Sequence, residues 1–351
     1  MKKESSYPWL FSANVDLGVF LGSALLSVLL LAVGASLGVL QSDSPEWIWV
    51  PAVLLIDVAH VWSTVFRVYF DREERRRRPW VYWGAPAVGY AAGVCIYSFG
   101  AMWFWTVAAY LAVYHFVRQQ YGWVVLYRRR GEESGQLDRW VDTATIYAAT
   151  VYPLIYWHAH LPRRYWWFVP KDFIVHFPLW VDTILAPMYW AILAAYTCRA
   201  LYRWFVLHVR NPGKDVVVVT TALCWYLGIV YFNSDYAFTV TNVVIHGIPY
   251  FALIYFYGRR RALSGKPGAI RLLLGGPLVF IAVLVCFAYG EELLWDQLIW
   301  HERSWLFGGA SDLALGLETL LVPLLALPQI THYLLDGFIW RGDKNRPYMS
   351  G

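Results

Sequence analysis

The fold class this sequence predicts is an all-α, polytopic integral membrane bundle of about ten transmembrane helices. Three observations predict it. The 351 residues are 59% hydrophobic and 19% aromatic with 15% charged, and the mean hydropathy is +0.42, whereas a soluble domain carries about 25% charged residues. Ten stretches reach the roughly 20 mainly apolar residues that cross a hydrocarbon core as a helix. The basic residues gather in short clusters between those stretches, at alternate connections, as topology in a membrane requires.

The expected spans fall near 15–40, 47–70, 79–99, 101–127, 139–157, 174–205, 214–233, 236–258, 270–289 and 311–340. The leading MKKESSYPWLFSANVD has no small-residue cleavage site close to the first apolar run, so that run reads as a retained helix rather than a signal peptide. Lys2 and Lys3, DREERRRR (71–78), YRRRGEE (127–133), the stretch from Arg199 to Lys214, GRRRALSGKPGAIR (258–271) and WRGDKNR (340–346) share one side if ten spans leave both termini cytoplasmic. The opposite connections, 98–100, 158–173, 233–236 and 290–305, are short or mixed in charge. With no internal repeat, low-complexity segment or soluble portion, residues 1–351 read as a single transmembrane domain. It is expected to be a multi-pass protein of a membrane such as the bacterial inner (cytoplasmic) membrane. The net charge of +5 lies in the topological clusters, so nucleic acid is not an expected partner. Cys95, Cys198, Cys224 and Cys286 stand singly without CxxC spacing, and read as buried small hydrophobes rather than disulfides or thiolate ligands.

Five of the nine histidines, His158, His160, His176, His208 and His301, fall at segment ends or in connections, where interfacial or solvated roles suffice. His60, His115, His246 and His332 fall inside spans two, four, eight and ten, all running in the same direction. They lie 12, 13, 13 and 9 residues before Arg72, Arg128, Arg259 and Arg341. At about 1.5 Å per helical residue, that sets all four in one layer roughly 14–20 Å from the arginines. Each has a polar companion at helical spacing: Asp57 three before His60, Gln119 four after His115, Asn242 four before His246, and Gln329 and Asp336 three before and four after His332. Ionisable residues at such depth face a bundle interior and mark functional sites. A shared intramembrane site is therefore expected, against the plainer reading that each histidine is hydrogen-bonded to its neighbour and packs helices.

Neutral imidazole suits iron, copper and zinc, and carboxylates add oxygen ligands. Asp57, Asp336, Gln119, Asn242 and Gln329 are spaced to orient the histidines or to bind metal themselves. Histidine with carboxylate, and no thiolate, fits non-haem iron, mono- or dinuclear, better than copper or a closed zinc site. An open metal position inside lipid implies a hydrophobic substrate, and O2, entering from the bilayer. Other readings use the same residues. A bis-histidine haem leaves two of the four unexplained. A transporter could use Asp57, His115 and Asp336 as a proton or ion pathway, although carriers more often spread such groups along the membrane normal. An acyltransferase could use an intramembrane histidine as general base, and NVVIHGIPY faintly resembles the His-Gly of membrane-bound O-acyltransferases.

The segment LALPQITHYLLDGFIWR resembles the C-terminal histidine motif of the Brp/Blh family, multi-spanning membrane proteins that cleave β-carotene to retinal and are regarded as iron-dependent dioxygenases. His332, Asp336, Phe338, Trp340 and Arg341 match that motif, His115 and Phe116 of YHFVRQQYG match the second, and His60 of DVAHVW and His246 of NVVIHGIPY match the first and penultimate. The resemblance covers four short motifs, about a sixth of the chain. It implies a metal-site scaffold with these histidines as ligands. There are departures. Tyr250 stands where the family's penultimate motif has a second histidine, which makes it a candidate catalytic or ligand residue beside Asp57 and Asp336. Asp57 precedes its histidine and Gln119 replaces an aspartate after His115, and the chain has about two more spans. The HxxxH and HxxHH boxes of membrane desaturases are absent, and HAH at 158–160 lies in an outer connection.

Arg67 and Arg118, seven after His60 and three after His115, project near the histidine faces or snorkel to headgroups. Pro249, Pro323 and Pro328 are expected to interrupt spans eight and ten. No flavin, NAD(P), haem-attachment or iron–sulfur motif is present. A hydroxylase or desaturase would need a separate electron donor and a dioxygenase would not, which favours oxygenative cleavage.

Overall fold

The computed structural model describes residues 8–266, 268–309 and 317–340. Among them there are helices and no strand. In chain order these are α1 (Ala13–Ser36), α2 (Glu46–Tyr69), α3 (Arg72–Arg77), α4 (Pro79–Ser98), α5 (Ala101–Arg130), α6 (Gln136–Ala159), α7 (Leu179–Phe205), α8 (Pro212–Tyr231), α9 (Asp235–Leu263), α10 (Pro277–Trp300), α11 (Ser304–Phe307), α12 (Glu318–Leu325) and α13 (Leu327–Ile339). Six of them, α1, α2, α7, α8, α9 and α10, are long and apolar enough to cross a membrane. The chain is thus an all-helical protein of membrane-spanning character. Helices α4, α5 and α6 coincide with expected spans but are less apolar, being rich in tryptophan, tyrosine and glycine or carrying charge. The last expected span lies partly outside the described residues. Its described part is two helices rather than one, because α12 stops at Leu325 and α13 restarts with Pro328 in its first turn, where a missing N–H costs nothing. Pro249, by contrast, sits inside α9 without ending it.

The chain groups into two compact units. The first holds residues 8–49 and 113–249. Ser12 caps α1, and buried Asp16 accepts the N–H groups of Leu10 (2.6 Å) and Phe11 (3.0 Å) and the hydroxyl of Tyr127 (2.8 Å), tying the entering chain to α5. Between α6 and α7, the carboxylate of buried Asp172 accepts the N–H groups of Trp167 (2.9 Å) and Phe168 (2.7 Å). Burial pushes that carboxyl up, and the backbone N–H groups only partly offset the effect. Arg163 of the same loop donates to the carbonyls of Ile229 and Phe232, both at 2.8 Å. At the opposite helix ends Lys214 pairs with Glu133 (2.6 Å) and Asp142 (3.0 Å), and Arg203 reaches Glu133 at 3.3 Å. Lys214 and Asp142, both buried, are thus paired, which burial in low dielectric requires.

The second unit holds residues 50–112 and 250–340. Helix α4 meets α13 and α12 at glycines: a Cβ at Gly89 would stand 2.8 Å from Ile330 Cγ2, and one at Gly93 would stand 2.9 Å from Pro323 Cβ. Arg67 does not snorkel. It is buried, donates to the carbonyl of Ile339 (2.7 Å), pairs with Glu74 (3.5 Å) and lies over the rings of Tyr257 (4.5 Å) and Trp340 (5.2 Å). The expected span at 270–289 is displaced towards the C-terminus. A 3₁₀ turn at Ala269–Gly275 and the positive-φ Gly276 (φ 98°) delay α10 to Pro277, and the helix then runs on to Trp300. Residues 290–300, expected in a connection, are therefore helical. Of the four cysteines only Cys224 is buried; Cys95, Cys198 and Cys286 are exposed, which corrects the expectation of four buried thiols. A thiol's small apolar bulk suits a lipid-facing position as well as a core one.

Candidate metal centre

All four histidines expected to share one layer are buried. In the first unit, α5 carries His115 and α9 carries His246, and their Nε2 atoms lie 3.3 Å apart with the ring planes at 81°. The ring of Phe116 stacks on His246 at 3.5 Å and 4°, and Trp167 meets Phe116 edge-on at 4.8 Å. The loop between α6 and α7 therefore contributes an aromatic wall to this pair. Gln119, expected to serve His115, sends its Nε2 to the backbone carbonyl of His246 at 2.8 Å, which ties α5 to α9. Asn242 donates to the carbonyl of Phe238 (3.2 Å) and to Thr241 Oγ1 (3.1 Å). The acceptor oxygens of Gln119 and Asn242 are buried and have no hydrogen-bond partner among the described residues. Arg118 is exposed and donates to Tyr147 Oη at 2.5 Å.

In the second unit, α2 carries His60 and α13 carries His332, with ring centroids 5.1 Å apart and planes at 87°. Asp57 Oδ1 lies 3.6 Å from His60 Nδ1, so this i, i+3 pair shares a face as expected. His332 Nδ1 shares a 2.7 Å hydrogen bond with Thr64 Oγ1. Tyr250 lies beside both imidazoles, 6.1 Å from the His60 ring and 5.2 Å from the His332 ring, and its hydroxyl donates to Asp336 Oδ1 at 2.5 Å. Gln329, expected beside His332, donates instead to Glu291 Oε1 at 3.0 Å; Glu291 Oε2 accepts Trp62 Nε1 at 2.6 Å.

Two local features prepare these positions. His60 and His246 each follow a π-helical segment, Trp49–Val58 and Thr239–Val243, the irregularity that recurs at functional sites because it re-aims side chains. Two residues escaped the sequence reading. Thr64 stands four after His60, so the same-face rule could have found it. Glu291 had no such signal, because the displaced α10 hid it in an expected connection.

Two imidazole nitrogens bound at about 2.0–2.1 Å to one tetrahedral ion stand about 3.3 Å apart. The His115–His246 separation matches that value, so the donor set fits a metal as well as a simple hydrogen bond. No family model, curated protein or solved structure matches this chain.

Proposed function

We propose that this chain is a membrane-embedded enzyme that uses a non-haem iron centre to oxidise a lipid-soluble substrate, of isoprenoid, carotenoid or fatty-lipid class, with O2. The observation that carries the reading is the His115–His246 pair, two buried imidazoles with Nε2 atoms at the separation of two ligands on one ion. His60 and His332 are the further proposed ligands. The grouping of both pairs into one mono- or dinuclear centre rests on the sequence alone, which sets the four in one layer roughly 14–20 Å from the arginines. Iron is proposed over copper or zinc because histidine with carboxylate and no thiolate suits a non-haem iron centre with open positions.

When bound, the metal supplies activation of O2. The chain's own residues do the rest. Thr64 holds His332 Nδ1, which makes Nε2 the ligating nitrogen, and Gln119 holds the His246 backbone. Tyr250 Oη and Asp336 Oδ1 share a proton beside both rings of the His60–His332 pair. Phe116 and Trp167 exclude water from the His246 face. The resemblance of the His332 motif to the Brp/Blh family supports oxygen chemistry, and cleavage by a dioxygenase needs no electron-donor partner. Ten spans, cytoplasmic termini and a bacterial inner-membrane location belong to the same proposal.

The test is metal analysis with an absorption spectrum of the purified protein. About one or two iron ions per chain are expected, lost in H115A and in H332A with helical content retained. Metal-free protein of intact helical content overturns the proposal. If the two pairs were separate sites, H60A and H332A would leave the metal of the other pair in place. A Soret band would establish haem instead, chelator-resistant activity needing only His246 would establish acyl transfer, and substrate flux without oxygen uptake would establish transport.

A further inference from the structure

The basic run 72–78 combines features that neither topology nor the proposed chemistry uses. It begins where the candidate span α2 ends at Tyr69, and it forms the short helix α3. The acids that could neutralise it are committed elsewhere. Asp71 caps α3 through the N–H groups of Glu73 and Glu74, both at 3.0 Å, and pairs with Arg261 at 2.5 Å. Glu73 pairs with Lys266 at 2.6 Å. Glu74 is buried and turns inward to Arg67 (3.5 Å), Arg77 (3.3 Å) and the hydroxyl of Tyr82. Arg75 is partly committed to the carbonyl of Tyr69 at 3.3 Å. Arg72 and Arg76 are exposed and Arg78 is partly exposed, and none of the three has an acidic partner among the described residues. Immediately beyond, Trp80 is 90% exposed and Trp83 is 58% exposed at the start of α4.

Guanidiniums without an acidic partner, followed two to eleven residues on by exposed indoles, make a two-part recognition surface. A guanidinium binds a phosphodiester through paired N–H donors, and an indole rests at the boundary of headgroup and acyl chain. A soluble phosphate would engage only the first part. We propose that Arg72, Arg76 and Arg78, with Trp80 and Trp83, bind the headgroup region of an anionic glycerophospholipid at this membrane edge. The site is independent of the proposed metal chemistry.

The experiment places the full chain in nanodiscs of phosphatidylcholine with increasing phosphatidylglycerol. Thermal unfolding is followed, and retained lipid is counted by native mass spectrometry. Wild type is expected to keep phosphatidylglycerol in preference to phosphatidylcholine and to gain several degrees of stability as its share rises. The variant R72Q/R76Q/R78Q should lose that preference, by about fivefold for each arginine removed. R129Q/R139Q/R210Q, which removes the same charge from exposed arginines elsewhere, should keep it. Equal lipid retention in wild type and the first variant overturns the proposal. So does an equal loss in the second variant, which would reduce the effect to bulk charge, or the same stabilisation by inorganic phosphate. Should the first variant not fold, W80A/W83A is read instead, with loss of the lipid preference expected and its full retention counting against the site.

Discussion

Replacing Thr64 with valine isolates one arm of the proposed centre. Valine keeps the side-chain shape and removes only the hydroxyl that lies 2.7 Å from His332 Nδ1. Leaving a buried donor or acceptor without its partner costs about 1–3 kcal/mol. Removing a partner that orients a ligating histidine costs about 10–100-fold in metal affinity, or about 1.4–2.7 kcal/mol. The first cost falls on stability and the second on affinity, so the iron affinity of T64V should fall by about one to two orders of magnitude. The assay is competition for iron with a soluble chelator in detergent, with circular dichroism confirming unchanged helix content. T64S, which restores a hydroxyl, should recover most of the affinity. A folded T64V whose iron affinity equals that of wild type would refute the role given to Thr64, and with it the use of Nε2 of His332 as a ligand.

Two further outcomes follow from the charged groups of the second unit. R67A removes the bond to the Ile339 carbonyl and two ring contacts and strips buried Glu74 of a cation, so it should destabilise by about 3–5 kcal/mol, read as a lowered thermal midpoint. The Glu74 carboxyl is raised by burial but lowered by more through Arg67, the Tyr82 hydroxyl and Arg77, so its folded pKa lies below the ordinary 4.5. Its stabilisation is therefore complete above the unfolded value and is lost as pH falls through the folded one. E74Q should flatten that acid limb of a plot of thermal midpoint against pH, and an unchanged limb would remove Glu74 from the account.

Much of the architecture was legible from hydropathy and charge. The segments that became α1, α2, α7, α8 and α9 overlap their expected spans closely, because a run of apolar residues in lipid must satisfy its backbone within itself and so becomes a helix. α10 was misplaced by several residues, since Gly275, Gly276 and Pro277 lie inside an apolar run and hydropathy does not weigh backbone torsion. The break between α12 and α13 was legible in Pro328, whereas Pro249 carried the same signal and did not end its helix. A spanning helix tolerates such a proline when the carbonyl left without its N–H donor can be satisfied by neighbouring groups.

The histidines divide in the same way. The sequence by itself determined which four lie deep in apolar segments, and the i, i+3 spacing of Asp57 and His60 was enough to predict their proximity. It did not determine the partners of the others. Gln329 shares a helix face with His332 by spacing, yet its amide meets Glu291 of α10, while Thr64 of α2 meets His332. Gln119 follows His115 by one turn, yet it binds the carbonyl of His246 across to α9. Helical periodicity decides only the direction in which a side chain leaves its own helix. Which atom it meets is decided by the helix packed opposite, and that choice belongs to the tertiary structure.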